Sequence, residues 1–453
     1  MNSRLSTLMH LNKVILPALL ILLAFSCTRD QLEMSAVDVD LVNAISRVSP
    51  TGDISSFVLP KDGDYSEFIQ DPRNPMTPEK AALGKMLFFE TGLATDALKE
   101  VGKETYSCGT CHVPSKGFMP GRLQGIADGG IGFGNAGEGR SRFHLYQEDE
   151  LDVQGARPLS LLNVGYVNNT SWSGQFGSGN VNAGTEDVWE GPTEINELGY
   201  FGLESQNIEG LHLHRMDASR ANLERLGYRD MFDQAFPNIP VHERYSDVTT
   251  SFAISVYLRT LVPNQAPFQD WLKGEMTAMT EQEKRGAILF FGKSGCTNCH
   301  QGPGLNNQKF YALGVKDLYE TGEAFATGPD DERNLGRGGF TKNQGDMYKF
   351  KVPQIYNMKN AGFYFHGSSK RTLREVVEYF NEGVKENDNI PTSQISSFFH
   401  PLNMTSDEVS DLTAFLKEGL YDPDLDRYMP DEVLSGNCFP NNDVLSRAQM
   451  GCE

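Results

Sequence analysis

Cys108-Gly109-Thr110-Cys111-His112 recurs later in the chain as Cys296-Thr297-Asn298-Cys299-His300. C-x-x-C-H is the attachment signal for c-type haem. Two thiols at this spacing can add across the two vinyl groups of one porphyrin edge, and the adjacent histidine then meets the iron as an axial imidazole. A redox dithiol, half of a zinc site and a strained disulfide are competing readings. A thioredoxin-like dithiol needs a βαβ setting, which the flanking pattern lacks. A single zinc site made from both cysteine pairs leaves two histidines unexplained. Two covalently bound haem c groups are therefore expected. Cys108, Cys111, Cys296 and Cys299 would attach them, and His112 and His300 would be the metal ligands.

The context of each motif repeats as well. Thr77-Pro78 announces a helix carrying Ala81-Ala82-Leu83-Gly84-Lys85-Met86-Leu87-Phe88-Phe89. Thr280 and Glu283 form a capping box ahead of Arg285-Gly286-Ala287-Ile288-Leu289-Phe290-Phe291. Gly84 precedes Cys108 by 24 positions and Gly286 precedes Cys296 by 10, so the first loop is 14 residues longer. Helix, loop and C-x-x-C-H thus form an internal repeat. The expected fold is mainly α, with two cytochrome-c-like helical haem domains, long loops and little strand.

The elements between and after the motifs fit that class. Residues 117–139 are Gly-rich and read as loop. Residues 211–225 and 248–261 read as helices, the second with Phe252, Ser255, Val256 and Arg259 at helical spacing. Thr372 with Glu375 and Thr405 with Glu408 open two more helices, and Gly383 stops the first of these. The expected division is a signal peptide at 1–26 and a tether with an N-terminal arm at 27–76. An N-terminal haem c domain at 77–275, a C-terminal haem c domain at 276–430 and a disulfide-pinned tail at 431–453 follow.

Residues 1–26 carry Arg4 and Lys13 ahead of an apolar run at 14–25 that is too short to favour a spanning helix. The run ends at Ser26-Cys27, which resembles a lipoprotein cleavage site, so a lipid anchor at Cys27 and a periplasmic location are expected. An ordinary cleaved signal is the alternative. Export suits the remaining cysteines, because Cys438 and Cys452 can pair in an oxidising compartment. The net charge of −20 becomes −22 when Arg4 and Lys13 leave with the signal. Such an acidic chain excludes nucleic acid as a partner.

These units, together with several other stretches, resemble the bacterial di-haem cytochrome c peroxidase family, which includes the di-haem enzyme that matures methylamine dehydrogenase. The stretches are Pro158-Leu159-Ser160-Leu161-Leu162-Asn163-Val164, Ser171-Trp172-Ser173-Gly174, Phe350-Lys351-Val352-Pro353, Phe363-Tyr364-Phe365-His366-Gly367 and Thr372-Leu373-Arg374-Glu375-Val376-Val377. The resemblance implies reduction of hydrogen peroxide at the N-terminal haem. Electrons would reach the C-terminal haem from a small electron-donor protein, a cytochrome c or a cupredoxin. Trp172 matches the family's tryptophan between the haems. The family's distal acid–base glutamate falls on Glu204, with Glu197 and Gln206 as alternatives because of an insertion at 176–200. Both Glu204 and Trp172 are thus catalytic candidates.

The resemblance also marks departures. His144 is a candidate distal ligand of the first iron, with an exposed loop histidine as the plainer reading. His366 fits a hydrogen-bonding role or ligation, while His212, His214, His242 and His400 carry no motif. The family's calcium segment reads Ala361-Gly362-Phe363, which could offer only main-chain carbonyls. The position of the distal ligand of the second iron falls on Phe380, which has no lone pair. Tyr379 points elsewhere on the helix, and Met347, Met358 and Met404 lie in the same domain. An open or water-bound second iron is therefore expected. Oligomeric state is left between monomer and homodimer. Three rival functions stand beside the peroxidase: a non-enzymatic di-haem electron-transfer protein, a related di-haem oxidase acting on another protein or a small organic substrate, and a haem-free lipoprotein.

Overall fold

The computed structural model describes residues 34–452, so the expected signal segment and Cys27 lie outside the described residues. In chain order the helices are α1 (Ala36–Val48), α2 (Pro78–Phe89), α3 (Gly202–Leu213), α4 (Arg220–Arg225), α5 (Arg229–Ala235) and α6 (Asp247–Arg259). After them come α7 (Pro267–Leu272), α8 (Glu281–Phe290), α9 (Arg337–Thr341), α10 (Leu373–Glu382), α11 (Ser406–Ala414) and α12 (Val444–Met450). Among the described residues strand is confined to two antiparallel pairs of two residues each. These are β1 (Gly130–Ile131) with β2 (Ser141–Arg142), and β3 (Phe310–Tyr311) with β4 (Phe350–Lys351). The chain is mainly α with long irregular connections, as expected.

Local chemistry sets the helix starts. Thr77 caps α2 with Pro78 in its first turn, where a missing N–H costs nothing. Reciprocal capping boxes open α8 at Thr280 and Glu283, α10 at Thr372 and Glu375, and α11 at Thr405 and Glu408. Gly383 ends α10 at φ 61, in the left-handed region. Residues 211–225, expected as one helix, are instead the end of α3, a turn and then α4. Ser219 accepts from Asn222 N and starts α4 afresh, so a capping signal inside the segment outweighed its periodicity.

Two apolar cores organise these helices. The first joins α2, α3, α5 and α6 through residues such as Leu83, Phe88, Leu203, Phe232 and Tyr257. The second joins α1, α7, α8 and α11 through Ile45, Trp271, Phe291, Leu412 and Phe415. Burying each of these large side chains contributes roughly 1.5–3 kcal/mol. Corresponding helix crossings use glycine for close approach. A Cβ on Gly84 would collide with the carbonyl of Ala253 on α6, and one on Gly286 with that of Asp411 on α11. The repeat seen in the sequence is thus a repeat of packing.

The termini cross between the cores. The described part of the N-terminal arm is not a tether over 36–48, because α1 belongs to the second core. Asp38 is buried there against Lys284 at 2.7 Å and accepts from Trp271 Nε1 at 2.8 Å. The tail instead closes on the first unit. Cys438 and Cys452 are disulfide-bonded with Cα atoms 5.9 Å apart. Beside them, Ser107 Oγ donates to Pro440 O at 2.9 Å, and Phe439 packs against Phe89.

Candidate functional site

Each C-x-x-C-H motif begins in a tight 3₁₀ turn, Cys108–Thr110 and Cys296–Asn298. The turn closes when His112 N donates to Cys108 O and His300 N to Cys296 O. The two histidines are then oriented in the same way. His112 Nδ1 lies 2.9 Å from Phe118 O, and His300 Nδ1 lies 2.9 Å from Leu305 O. Phe118 and Leu305 both take the left-handed backbone region, at φ 57 and 45, which side chains of this size rarely adopt. The strain is tolerated at the residue that aims the ring. A backbone acceptor on Nδ1 fixes the tautomer and leaves Nε2 as the ligating nitrogen. Phe88 flanks His112, and Phe290, its counterpart in the repeat, flanks His300.

Burial acts on both motifs. It pushes the His112 imidazole down to about 4 and lowers that of His300, which keeps both rings neutral as metal ligands must be. It pushes the thiols of Cys108 and Cys111 up to about 12, and those of Cys296 and Cys299 to about 11. A redox dithiol needs the opposite shift. Among the described residues no three His, Cys, Asp or Glu side chains assemble as a metal cluster, so the cysteine pairs do not converge on one zinc site.

Cys108, Cys111 and His112 line a cavity of about 930 Å³ that reaches the second unit at Lys351, Val352 and Pro353. Its size suits a large planar cofactor. Its wall near the motif is apolar, with Phe88, Leu161, Leu162, Leu203 and Ile254. Two buried cations open onto it. Lys351 is 5 % exposed, its ammonium donates among the described residues only to the carbonyl of Asn169, and burial pushes it down to about 7. Arg157 is 2 % exposed; its terminal nitrogens donate to the carbonyls of Arg122, Pro120 and Ala361, and among the described residues its Nε has no partner. Buried cations without carboxylates call for anionic partners, and the carboxylates of a haem are such groups. The residues present therefore fit haem at the first motif. His300 does not line this cavity.

The other expected site residues are distributed unevenly. Trp172 lines the cavity where the two units meet, edge-on to Phe350 and His366, with Nε1 donating to Arg157 O at 2.6 Å. Glu204, expected as the distal acid–base group, does not line it. The carboxylate is fully buried beside the cavity-lining face of α3, paired with Arg259 at 2.6 and 2.9 Å and accepting from Asn74. Of its alternatives, Glu197 is exposed away from the cavity, whereas Gln206 lines it. His144 is exposed and also absent from the lining. His366 takes the hydrogen-bonding role, with Nε2 3.0 Å from Asp317 and the ring stacked on Phe350. Ala361 O, one of the carbonyls considered for calcium, accepts from Arg157.

Phe380 sits half-buried against Phe365, Tyr379 and Phe399. The Tyr379 hydroxyl is committed to Leu313 O at 2.7 Å. Met404 is part of the second core, Met358 packs against a small cluster with Met119, and Met347 lies against Gly338. Asp152, Arg157, His214 and Lys351 also line the cavity, and sequence reasoning assigned none of them a role there. Arg157 and Lys351 sit beside or within quoted stretches. Asp152 and His214 are 62 positions apart and had no local signal.

Residues 78–277 match the family described as di-haem cytochrome c peroxidase. The cytochrome-c peroxidase IdrP1 of Denitromonas iodatirespirans is 28% identical over 363 residues, covering 76% of this chain and 82% of that protein. The methylamine utilization protein MauG of Methylorubrum extorquens is 28% identical over 356 residues, covering 78% and 81%. Among solved structures, a MauG-like protein associated with microbial copper homeostasis superposes with a TM-score of 0.56 at 25% identity. That match covers 81% of this chain and 97% of the other.

Proposed function

This chain belongs to the di-haem cytochrome c peroxidase family, and on that premise we propose that it reduces hydrogen peroxide to water at the cavity lined by Cys108, Cys111 and His112. One peroxide takes up two electrons and two protons and gives two waters. Haem c, when bound at each motif, would supply redox-active iron. The protein's own groups set the rest. The four thiols fix the cofactors, and the Nδ1 contacts of His112 and His300 aim their rings. Lys351 and Arg157 offer charge to haem carboxylates, and the indole of Trp172 stands between the two units as a path for electrons.

The supporting observation is the shared cavity, because it brings the first motif, Trp172 and the Phe350-Lys351-Val352-Pro353 stretch of the second unit to one place. The electron donor in this reading is a small cytochrome c or cupredoxin, drawn to the acidic surface. The chain is exported and anchored through Cys27. No described helix is long and apolar enough to cross a membrane. Turnover of peroxide by the reduced holoprotein with an artificial donor tests this reading. Sustained peroxide consumption is expected, and a protein that carries two haems yet consumes none is an electron carrier instead.

A further inference from the structure

The cavity of His112 holds a second imidazole that no role above uses. His214 follows α3 directly, and its ring lines the same cavity. Its Nδ1 is 2.8 Å from Asp152 Oδ2, and Asp152 is itself buried in the cavity wall. The backbone is pinned on both sides. His214 N donates to Gly210 O, and Tyr106 Oη donates to His214 O at 2.8 Å. The chain then turns through Arg215 at φ 54, and that guanidinium is tied to Asp128 at 2.5 Å. A ring held this way has one orientation. Its carboxylate partner fixes Nδ1 as N–H and leaves Nε2 as the free basic nitrogen. Among the described residues Nε2 has no hydrogen-bond partner in the protein.

We infer that His214, oriented by Asp152, is the distal acid–base group of this cavity. Nε2 takes the proton from the peroxide oxygen that binds first and returns it to the other oxygen. As the O–O bond breaks, the second oxygen leaves as water rather than as hydroxide. The remaining oxygen becomes the second water with two protons from solvent and two electrons supplied by the donor protein. A carboxylate is not needed for this, because an imidazole carries both proton transfers near neutral pH. Burial lowers the proton affinity of His214, but the charge and hydrogen bond of Asp152 outweigh it and raise it overall. The other titratable groups facing the ring are Arg215, which opposes protonation, and the neutral ring of His112. Asp128 lies behind Arg215 and Tyr106. Asp152 is a positioning residue in this scheme, and His214 the catalytic one.

The inference rests on the peroxidase reading, and the test separates the two. In the ferric holoprotein, His214→Gln should leave the absorption and electron paramagnetic resonance spectra of both haems unchanged. It should slow the stopped-flow reaction with peroxide by about 10²–10⁴-fold, the usual worth of a positioned acid–base group. Capture of cyanide, which must shed a proton to bind as the anion, should slow in the same variant. Imidazole added to His214→Gly should restore both rates. Asp152→Asn should move the pH midpoint of the peroxide reaction downward with the spectra intact. A wild-type low-spin bis-imidazole signal that disappears in His214→Gln would make His214 an iron ligand and overturn the inference. Equal cyanide and peroxide rates in wild type and His214→Gln would overturn it too. If wild type ignores peroxide while His214→Gln still slows cyanide capture, the peroxidase reading fails and the distal base stands.

Discussion

Glu204 and Arg259 face each other as a two-point ion pair, with oxygen–nitrogen distances of 2.6 and 2.9 Å and both side chains almost wholly buried. Asn74 donates to the same carboxylate and accepts from Lys80, so the pair sits in a hydrogen-bonded network beneath α3. Removing one charge of a buried pair leaves the other without compensation. Glu204→Gln should therefore cost about 3 kcal/mol of stability, measured by denaturant unfolding. Peroxide turnover per folded, haem-loaded molecule should stay near that of wild type. Intact stability with turnover lost would return Glu204 to the cavity.

What could be read from the chain, and what could not, follows from distance along it. Capping boxes, the helix-ending Gly383 and the C-x-x-C-H turns are decided within a few residues, and they stand where expected. The repeat was also legible, and Gly84 and Gly286 explain why it is constrained. The distal side of the cavity was not legible. Successive helical residues are 100° apart, so Glu204 and Gln206 face sides of α3 about 200° apart. A two-residue uncertainty from the 176–200 insertion exchanges the cavity for the core. The Glu204–Arg259 and Asp152–His214 pairs join positions 55 and 62 apart, and neither carries a local pattern.

Lys80 gives the network a pH signature. Burial pushes its ammonium down from 10.5 to about 8, against the pull of Glu204. Between these values the unfolded chain holds a proton that the folded chain has released. Stability therefore rises with pH across this window. The free energy of unfolding of wild type, minus that of Lys80→Met, should increase from pH 8 to pH 10.5. A flat difference would show that Lys80 keeps an ordinary proton affinity in the fold.

The paired glycine crossings predict paired costs. Gly84→Ala and Gly286→Ala each force a methyl group into a neighbouring backbone carbonyl. Overpacking of this kind costs about 1–3 kcal/mol, whereas Gly179→Ala, with nothing within 4 Å, should be near neutral. Denaturant midpoints for the three variants test this, and equal midpoints would contradict it.

The tail should act on the first motif and not on the second unit that precedes it in sequence. Replacing Cys438 and Cys452 by serine removes a cross-link worth about 3 kcal/mol for a loop of this length. Pro440 is the acceptor for Ser107 Oγ. Amide hydrogen exchange in the double variant should thus accelerate around residues 107–112 and stay slow around 296–300. The reverse order would place the tail elsewhere.

Trp172→Phe keeps an aromatic ring but removes the indole N–H that donates to Arg157 O. Electron transfer between the haems should slow after flash reduction of one of them, while peroxide binding at the first haem holds. Unchanged transfer would leave Trp172 a packing residue between the units.

The most direct measurement is an anaerobic titration of the fully reduced holoprotein with hydrogen peroxide, followed in the haem absorption bands. Two haems and a two-electron oxidant predict that one equivalent of peroxide per chain reoxidises both haems together. Reduced bands that persist beyond that equivalent, or a chain that carries no haem to follow, would contradict the account.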